Sequence, residues 1–260
     1  MADSSEREAF EVSRREFFRW TCFAGAAIAV AGSAPFLLAE AQEPASESPD
    51  RRRRWTMLID LRRCDGCLKC EVACRKEHNV PDEQKWMKVF TLTAASGGTF
   101  FLPRPCMHCE NPPCVKVCPV NATFRTEDGL VLIDENRCIG CRYCMAACPY
   151  DVRVFNWQSP DPPEPPEALS PDPIHGHLEH RRGVVEKCMF CAHRLKEGRL
   201  PACVEGCPML AIYFGDANED FVSNGYERLR LSTVLSSQQT FRYKEELGTE
   251  PRVYYLPVRR

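Results

Sequence analysis

The chain has 260 residues, of which 44% are hydrophobic and 27% are charged, and its formal net charge is −2 at pH 7. A single apolar stretch, residues 21–39, approaches the length of a membrane span, which excludes a polytopic membrane protein. The balanced charge and the lack of basic segments interleaved with aromatic residues exclude a nucleic-acid-binding protein.

The first 41 residues have the pattern of an export signal. Residues 13–19 read Ser-Arg-Arg-Glu-Phe-Phe-Arg, which is close to the twin-arginine motif, and an uncharged apolar stretch follows. Residues 39–41, Ala-Glu-Ala, form a small-x-small cleavage site. We therefore predict a cleaved twin-arginine signal over 1–41 and export of the folded protein to the periplasm, with retention as a membrane anchor as the alternative. Cys22 lies inside this segment and is assigned no role.

Residues 42–54 form a polar linker that ends in four arginines, for which we expect a solvated arm. Beyond the linker, sixteen of the seventeen cysteines form four sets of four. The sets are Cys64-x2-Cys67-x2-Cys70-x3-Cys74, Cys106-x2-Cys109-x4-Cys114-x3-Cys118, Cys138-x2-Cys141-x2-Cys144-x3-Cys148 and Cys188-x2-Cys191-x11-Cys203-x3-Cys207. In bacterial ferredoxins the first three thiolates of such a run hold one cubane iron–sulfur cluster and the fourth reaches a neighbouring cluster. The sequence therefore predicts four [4Fe-4S] clusters.

Zinc and disulfides are the competing interpretations of these cysteines. Structural zinc also takes four thiolates, so a zinc-stabilised structural protein is the alternative from another class. Three sets end in Cys-Pro, and Gly66 and Gly140 separate the first two cysteines of their sets, which are features of ferredoxins. A disulfide framework with four sets at these spacings is improbable.

The segments around the cysteines repeat. Ile59–Cys64 matches Ile133–Cys138 at four of six positions, and similar apolar segments follow Cys118, Cys148 and Cys207. Each unit therefore predicts a strand, a cysteine loop, a helical turn and a second strand. We predict an α+β fold of duplicated bacterial ferredoxin-like modules with loop insertions, a C-terminal extension and little apolar core, so that metal binding supplies much of the folding free energy.

The spacing between sets suggests how they pair. Only nineteen residues separate Cys118 from Cys138, whereas the gaps after Cys74 and Cys148 are longer. We therefore expect two nested two-cluster domains, in which the second set pairs with the third and the first with the fourth. The predicted ligand groups are Cys64, Cys67, Cys70 and Cys207; Cys74, Cys188, Cys191 and Cys203; Cys106, Cys109, Cys114 and Cys148; and Cys118, Cys138, Cys141 and Cys144.

The segment boundaries follow the sets. Residues 55–105 hold the first set with its connecting strands, residues 106–157 hold the second and third sets, and residues 188–216 hold the fourth. Residues 158–187 contain seven prolines, which predicts a surface insertion with His175, His177 and His180 in a solvated loop. Residues 217–260 are predicted to be a docking extension that ends in the apolar strand Val253–Leu256.

Charged and polar neighbours of the sets are expected to adjust the cluster potentials. His108, which lies between two cysteines of the second set, is expected to be such a neighbour rather than a ligand. Basic residues close to the sets would offset the negative charge of the clusters. These are Arg62, Arg63, Arg75, Lys76, Arg137, Arg142 and Lys187.

Residues 55–215, in which all sixteen ligand positions are cysteine, resemble the four-cluster ferredoxin-like electron-transfer subunits of dimethyl-sulfoxide-reductase-type and polysulfide-reductase-type complexes. The resemblance implies a linear chain of clusters between an integral membrane subunit that interacts with quinone and a periplasmic redox subunit, which is a haem protein or a catalytic subunit. It also implies no substrate chemistry in this chain, which has no dinucleotide fingerprint, P-loop or Cys-x2-Cys-His motif. A free soluble polyferredoxin shuttle is the alternative.

The export signal indicates which kind of complex within this family the chain resembles. A signal on this subunit, rather than on a catalytic partner, looks like the periplasmic iron–sulfur subunit of a Dsr-type sulfite-reduction-associated complex. We therefore expect a periplasmic protein that is membrane-associated through its complex.

Overall fold

The computed structural model describes residues 52–94, 97–158 and 180–258. The predicted signal at 1–41, Cys22, the linker up to residue 51, and His175 and His177 of the proline-rich insertion lie outside the described residues. In the described part of the chain, no helix has the length and apolar character needed to cross a bilayer.

The described residues form eleven short strands, six short helices and one 3-10 turn. The strands are β1 (Trp55–Asp60), β2 (Lys88–Thr93), β3 (Thr99–Arg104), β4 (Thr123–Arg125), β5 (Val131–Ile133), β6 (Arg153–Phe155), β7 (Val185–Lys187), β8 (Ile212–Asp216), β9 (Phe221–Ser223), β10 (Arg228–Arg230) and β11 (Val253–Leu256). The helices are α1 (Lys69–His78), α2 (Pro113–Lys116), α3 (Tyr143–Ala146), α4 (Ala192–Lys196), α5 (Ala202–Glu205) and α6 (Leu231–Ser237), and the 3-10 turn is Glu245–Leu247.

One five-stranded sheet and three hairpins make up the β structure. The sheet has the order β10-β9-β8-β1-β11, in which β1 is parallel to β11 and antiparallel to β8. The hairpins are β2–β3, β4–β5 and β6–β7. Strands and helices alternate around the cysteine sets, so the predicted α+β class is confirmed.

The backbone repeats its conformation at equivalent positions of the four sets. The residue two positions after the first cysteine has a positive φ in every set, at Gly66 (77°), His108 (41°), Gly140 (69°) and Phe190 (54°). The third residue after the last cysteine has a φ of 50–52° in three sets, at Asn121, Asp151 and Leu210. A left-handed residue without glycine costs about 1–2 kcal/mol, so its recurrence shows that these loops share one constrained geometry.

The apolar core is larger than the sequence suggested. Six aromatic side chains are almost fully buried: Trp86, Tyr150, Phe190, Tyr213, Phe214 and Tyr255. The main core cluster also contains Met57 and Ile59 of β1 together with seven of the cysteines. The expectation of little apolar core was wrong, because distant segments supply aromatic residues that no single amphipathic element reveals.

Two segments predicted to be exposed are buried. Val253–Leu256 pairs with β1 as β11, and Val253 and Tyr255 are fully buried, so this strand is part of the sheet and not an apolar docking segment. The end of the proline-rich insertion is also internal. His180 is only 2% exposed, since its ring bonds Glu186 and the carbonyl of His78, and Val185–Lys187 forms the buried strand β7.

Candidate metal centres

The structure brings twelve of the predicted cysteines together in three groups of four, each of which lines one cavity. Site 1 is lined by Cys64, Cys67, Cys70 and Cys207; site 3 by Cys106, Cys109, Cys114 and Cys148; and site 4 by Cys118, Cys138, Cys141 and Cys144. The exposed surface inside each cavity is almost wholly apolar.

The other four cysteines are buried and mutually close. Burial raises the pKa of Cys74, and the next influences are Cys188 and Cys191. Burial likewise raises the pKa of Cys203, followed by the effects of Cys191, Cys74 and Cys188. We call Cys74, Cys188, Cys191 and Cys203 site 2. All four are buried.

Short helices distribute these cysteines between neighbouring sites. Helix α1 carries Cys70 and Cys74 one turn apart, which places both on one face but in sites 1 and 2 respectively. Cys203 lies in α5 and belongs to site 2, while Cys207 follows this helix and lines site 1. Helices α1 and α5 pack together. Each of the two helical segments therefore contributes one cysteine to site 1 and one to site 2.

Helices α2 and α3 repeat this arrangement. Cys114 of α2 lines site 3 and Cys118 beyond it lines site 4. Cys144 of α3 lines site 4 and Cys148 beyond it lines site 3. The cysteines that lie together are the same as those grouped from the spacing of the sets, and their role as cluster ligands stays a prediction.

Side chains of adjacent sites influence one another. Cys70 of site 1 contributes to the raised pKa of Cys74 in site 2, after burial and the site 2 thiols. Burial raises the pKa of Cys188 in site 2 to about 11, and Cys106 of site 3 is the next influence. Arg153 lies between sites 3 and 4, where it acts on Cys114 and on Cys144. Sites 1 and 2, sites 2 and 3, and sites 3 and 4 are therefore neighbours, which gives the series 1, 2, 3, 4.

Exposure differs between the ends and the middle of this series. Cys67 in site 1 and Cys141 in site 4 are exposed, whereas every cysteine of site 2 and three of the four in site 3 are buried. Apolar side chains near the outer sites are also exposed, including Met209 (41%) beside site 1 and Ile139 (64%) beside site 4. The outer sites are thus open to a partner and the inner sites are enclosed.

Backbone N–H groups point at several sulfur atoms. Ala122 donates to Cys118 Sγ at 3.2 Å, and Ala211 donates to Cys207 Sγ at 3.4 Å. Burial alone would raise the pKa of Cys118, but the N–H groups around it hold the pKa below its usual value. Hydrogen bonds of this kind stabilise thiolate, which is the form that binds iron.

Most of the other thiols are shifted the opposite way. Burial raises the pKa of Cys70 to about 12, and Cys207 and Cys64 of the same site add to the shift. Burial also raises the pKa of Cys109 to about 12, followed by the effect of Cys106. In site 2 burial raises the pKa of all four thiols. Cationic iron binds cysteine in its deprotonated form, so an all-sulfur donor set fits an iron–sulfur cluster.

The described cysteines do not converge as the ligands of one small ion would. Within the described ranges, no three His, Cys, Asp or Glu side chains converge closely enough to hold a single metal ion. In each of sites 1, 3 and 4, the four cysteines instead line one cavity.

His108 is oriented away from a ligand role. Its Nδ1 accepts a hydrogen bond from the backbone N–H of Val131 at 3.0 Å, and its Nε2 donates to the carbonyl of Cys188 at 3.1 Å. The ring is fully buried and stacks on Phe190 at 3.8 Å. Burial, with Lys187 second, lowers the pKa of His108 well below its usual value, so the ring is a neutral bridge between the loops of sites 3 and 2.

Sequence reasoning missed Arg153. This side chain is 3% exposed, yet residue 153 stands in a short strand that carries no recognisable motif. Its only sequence signal is an arginine in the apolar segment that follows Cys148.

Comparisons with known proteins agree with the cysteine pattern. A family described as a 4Fe-4S dicluster domain matches residues 98–161 and 173–217. A candidate iron–sulfur subunit of a dimethyl sulfoxide reductase from Halobacterium salinarum is 43% identical, over 77% of this chain and 78% of its own. A polypeptide of the polysulfide reductase from Wolinella succinogenes is 35% identical, over 80% of this chain and 96% of its own.

A third relative spans nearly the whole sequence. The Hdr-like menaquinol oxidoreductase iron–sulfur subunit 1 of Archaeoglobus fulgidus is 37% identical, over 95% of this chain and 98% of its own. Since the sequence identity and the paired cysteine sites lead to the same group of proteins, this chain belongs to the family of iron–sulfur subunits of dimethyl-sulfoxide-reductase-type complexes.

Proposed function

We propose that this chain carries four [4Fe-4S] clusters, one at each of sites 1 to 4, and relays single electrons between a quinone-linked membrane subunit and a periplasmic redox subunit. The main support is the arrangement of the four cysteine groups, with exposed cysteines at both ends of the series and buried ones in the middle. Such an order suits transfer between two partners, each of which docks at one end.

The residues have distinct tasks in this relay. Bound [4Fe-4S] clusters would supply one-electron redox chemistry. The sixteen cysteines would hold them as two nested pairs, sites 1 and 2 and sites 3 and 4. N–H groups such as that of Ala122 stabilise negative charge on sulfur, and the packing around site 2 excludes water. The proposal gives this chain no substrate chemistry of its own.

The partner assignment draws on the relatives. The protein from Archaeoglobus fulgidus is named as part of a menaquinol oxidoreductase and the one from Wolinella succinogenes as part of a polysulfide reductase. These names favour a quinone-linked complex. The twin-arginine pattern at residues 13–19 supports a periplasmic location, and a Dsr-type complex remains our expectation for its identity.

Cluster content tests the proposal directly. We expect anaerobically purified protein to contain about sixteen iron and sixteen sulfide per chain, at four of each per [4Fe-4S] cluster, with brown colour and absorbance near 400 nm. Zinc in place of iron and sulfide would overturn the proposal and favour the zinc-stabilised structural protein.

Fractionation of cells tests the partners. We expect the chain in the membrane fraction, released into the periplasm only when its complex is dissociated, and co-purifying with a polytopic subunit identified by mass spectrometry. Iron-loaded chain found alone in the soluble periplasm would instead indicate the free shuttle.

A further inference from the structure

Two cations face each other inside the protein. Arg153 of β6 is paired with Lys187 of β7, so the two side chains leave the same face of the hairpin. Both residues are 3% exposed. Like charges directly opposite each other on a strand pair are destabilising, and burial away from water adds to the cost.

The polypeptide does not balance this charge. Among the described residues, neither cation forms an ion pair with a carboxylate. Lys187 Nζ donates to the carbonyl of Cys188 at 2.7 Å, and Arg153 Nη1 donates to Thr123 Oγ1 at 3.3 Å. Arg153 Nε and Nη2 have no hydrogen-bond partner of ordinary geometry. A buried guanidinium of this kind needs negative charge beside it, and no carboxylate among the described residues supplies that charge.

The neighbours of Arg153 indicate where that negative charge belongs. Arg153 lines the cavity of site 3, and its Nη1 donates to Thr123, which lines the cavity of site 4. The guanidinium therefore lies against both sites at once.

We propose that Arg153 is the shared counter-charge of sites 3 and 4, and that it holds the reduction potentials of both clusters above the values they would have without it. The inference rests on the proposed function, since it concerns clusters at these sites. A [4Fe-4S] cluster with four thiolates gains one negative charge on reduction, so a fixed cation in an apolar surrounding favours the reduced form. Because one cation between two sites attracts both clusters, its attraction also offsets part of the repulsion between them when both are reduced.

The effect of the Arg153 charge on the reduction potentials is tested by replacing this residue in the full chain, purified anaerobically with its complex. Arg153→Met removes the cation and Arg153→Lys keeps it without the planar fork. Lys116→Gln is the matched control, because Lys116 is exposed and lies two residues from Cys114. Solvent screens a charge at that position. Reduction potentials are measured by redox titration followed by electron paramagnetic resonance.

We expect Arg153→Met to lower the potentials of two of the four clusters and to leave the other two unchanged. Arg153→Lys should give a smaller shift of the same two signals, and Lys116→Gln should give none. Unchanged potentials in Arg153→Met, or an equal shift of all four signals, would overturn the inference.

If Arg153→Met loses iron, the measurements on Arg153→Lys decide the test. Full iron content and near-normal potentials in the lysine variant would support the counter-charge. Loss of about half the iron in both variants would show that the guanidinium holds the local fold, and would overturn the inference. If the unsubstituted protein lacks iron and sulfide, the proposed function itself fails; if it holds four clusters and only the Arg153 result is negative, the relay stands.

Discussion

Gly140 shows how closely the chain is packed around site 4. Its φ is 69°, and a Cβ there would lie 2.2 Å from the carbonyl oxygen of Gly183, a backbone atom that cannot rotate away. Gly140→Ala should therefore displace the loop and reduce the iron content by about one cluster in four, measured as iron and sulfide per chain.

Gly198→Ala is the matched control for this substitution. Gly198 also has a positive φ, of 71°, but nothing lies within 4 Å of the position that a Cβ would occupy, so only the backbone cost of about 1 kcal/mol applies. Equal iron content in the two variants would contradict the steric explanation.

Glu135 makes the stability of the folded protein depend on pH. The residue is 4% exposed and its Oε1 has no hydrogen-bond partner. Burial raises the pKa of Glu135 to about 8, and Glu186 adds to the shift. Because the folded-state pKa lies above the ordinary value, the stability that the protonated carboxyl contributes is complete in acid and is lost as the pH rises through about 8.

Glu135→Gln resembles the protonated acid and should remove this loss. We expect the melting temperature of the holo protein to fall less between pH 6 and pH 9 (chosen as about two units below and one above the shifted pKa) in the variant than in the unsubstituted chain. Glu127→Gln, at an exposed position, is the control and should retain the original difference. An unaltered pH response in Glu135→Gln would refute the assignment.

At the scale of elements, β11 contributes more to the stability of the fold than the sequence indicated. Tyr255 of this strand is fully buried, its hydroxyl donates to the carbonyl of Pro103 at 3.0 Å, and its ring stacks on Phe241 at 5.4 Å. Tyr255→Ala should lower the free energy of unfolding by about 3–5 kcal/mol, as for other large buried aromatic side chains. Tyr255→Phe, which loses only the hydrogen bond, should cost about 1 kcal/mol.

Anaerobic denaturant unfolding measures this order of effects. Tyr226→Ala serves as the control, because Tyr226 is 84% exposed, and should change the free energy by no more than about 0.5 kcal/mol. If Tyr255→Ala matched the control, β11 would not be an integral part of the sheet in solution.

At the scale of the whole molecule, several cysteines of the metal sites are also part of the main apolar core. The main core cluster includes Cys70 and Cys74 of α1 and Cys188 and Cys203 of site 2 beside the aromatic residues. Removal of iron by an anaerobic chelator should therefore abolish near-ultraviolet circular dichroism and cooperative melting, since the packing around these cavities is lost with the metal. A chelated, iron-free chain that still melts cooperatively would show that the aromatic core suffices alone.

Local features of this fold were predictable and long-range ones were not. The cysteine spacings and the strands beside them, such as β1 and β8, follow from short sequence patterns. The burial of His180 and of Arg153 depends on partners far away in the sequence, such as His78 and Thr123. Positive φ at Phe190 also escaped prediction, because the constraint belongs to the loop geometry and not to the residue type.

The parallel pairing of Met57–Asp60 with Val253–Leu256 joins the two ends of the described region. While the polypeptide emerges from the ribosome, β1 is made first and remains without this neighbour until almost all the described residues have been synthesised. Its wholly apolar residues Met57–Ile59 are fully buried only in the finished sheet. A nascent chain therefore exposes an apolar strand next to its first cysteine set until Val253–Leu256 has been synthesised.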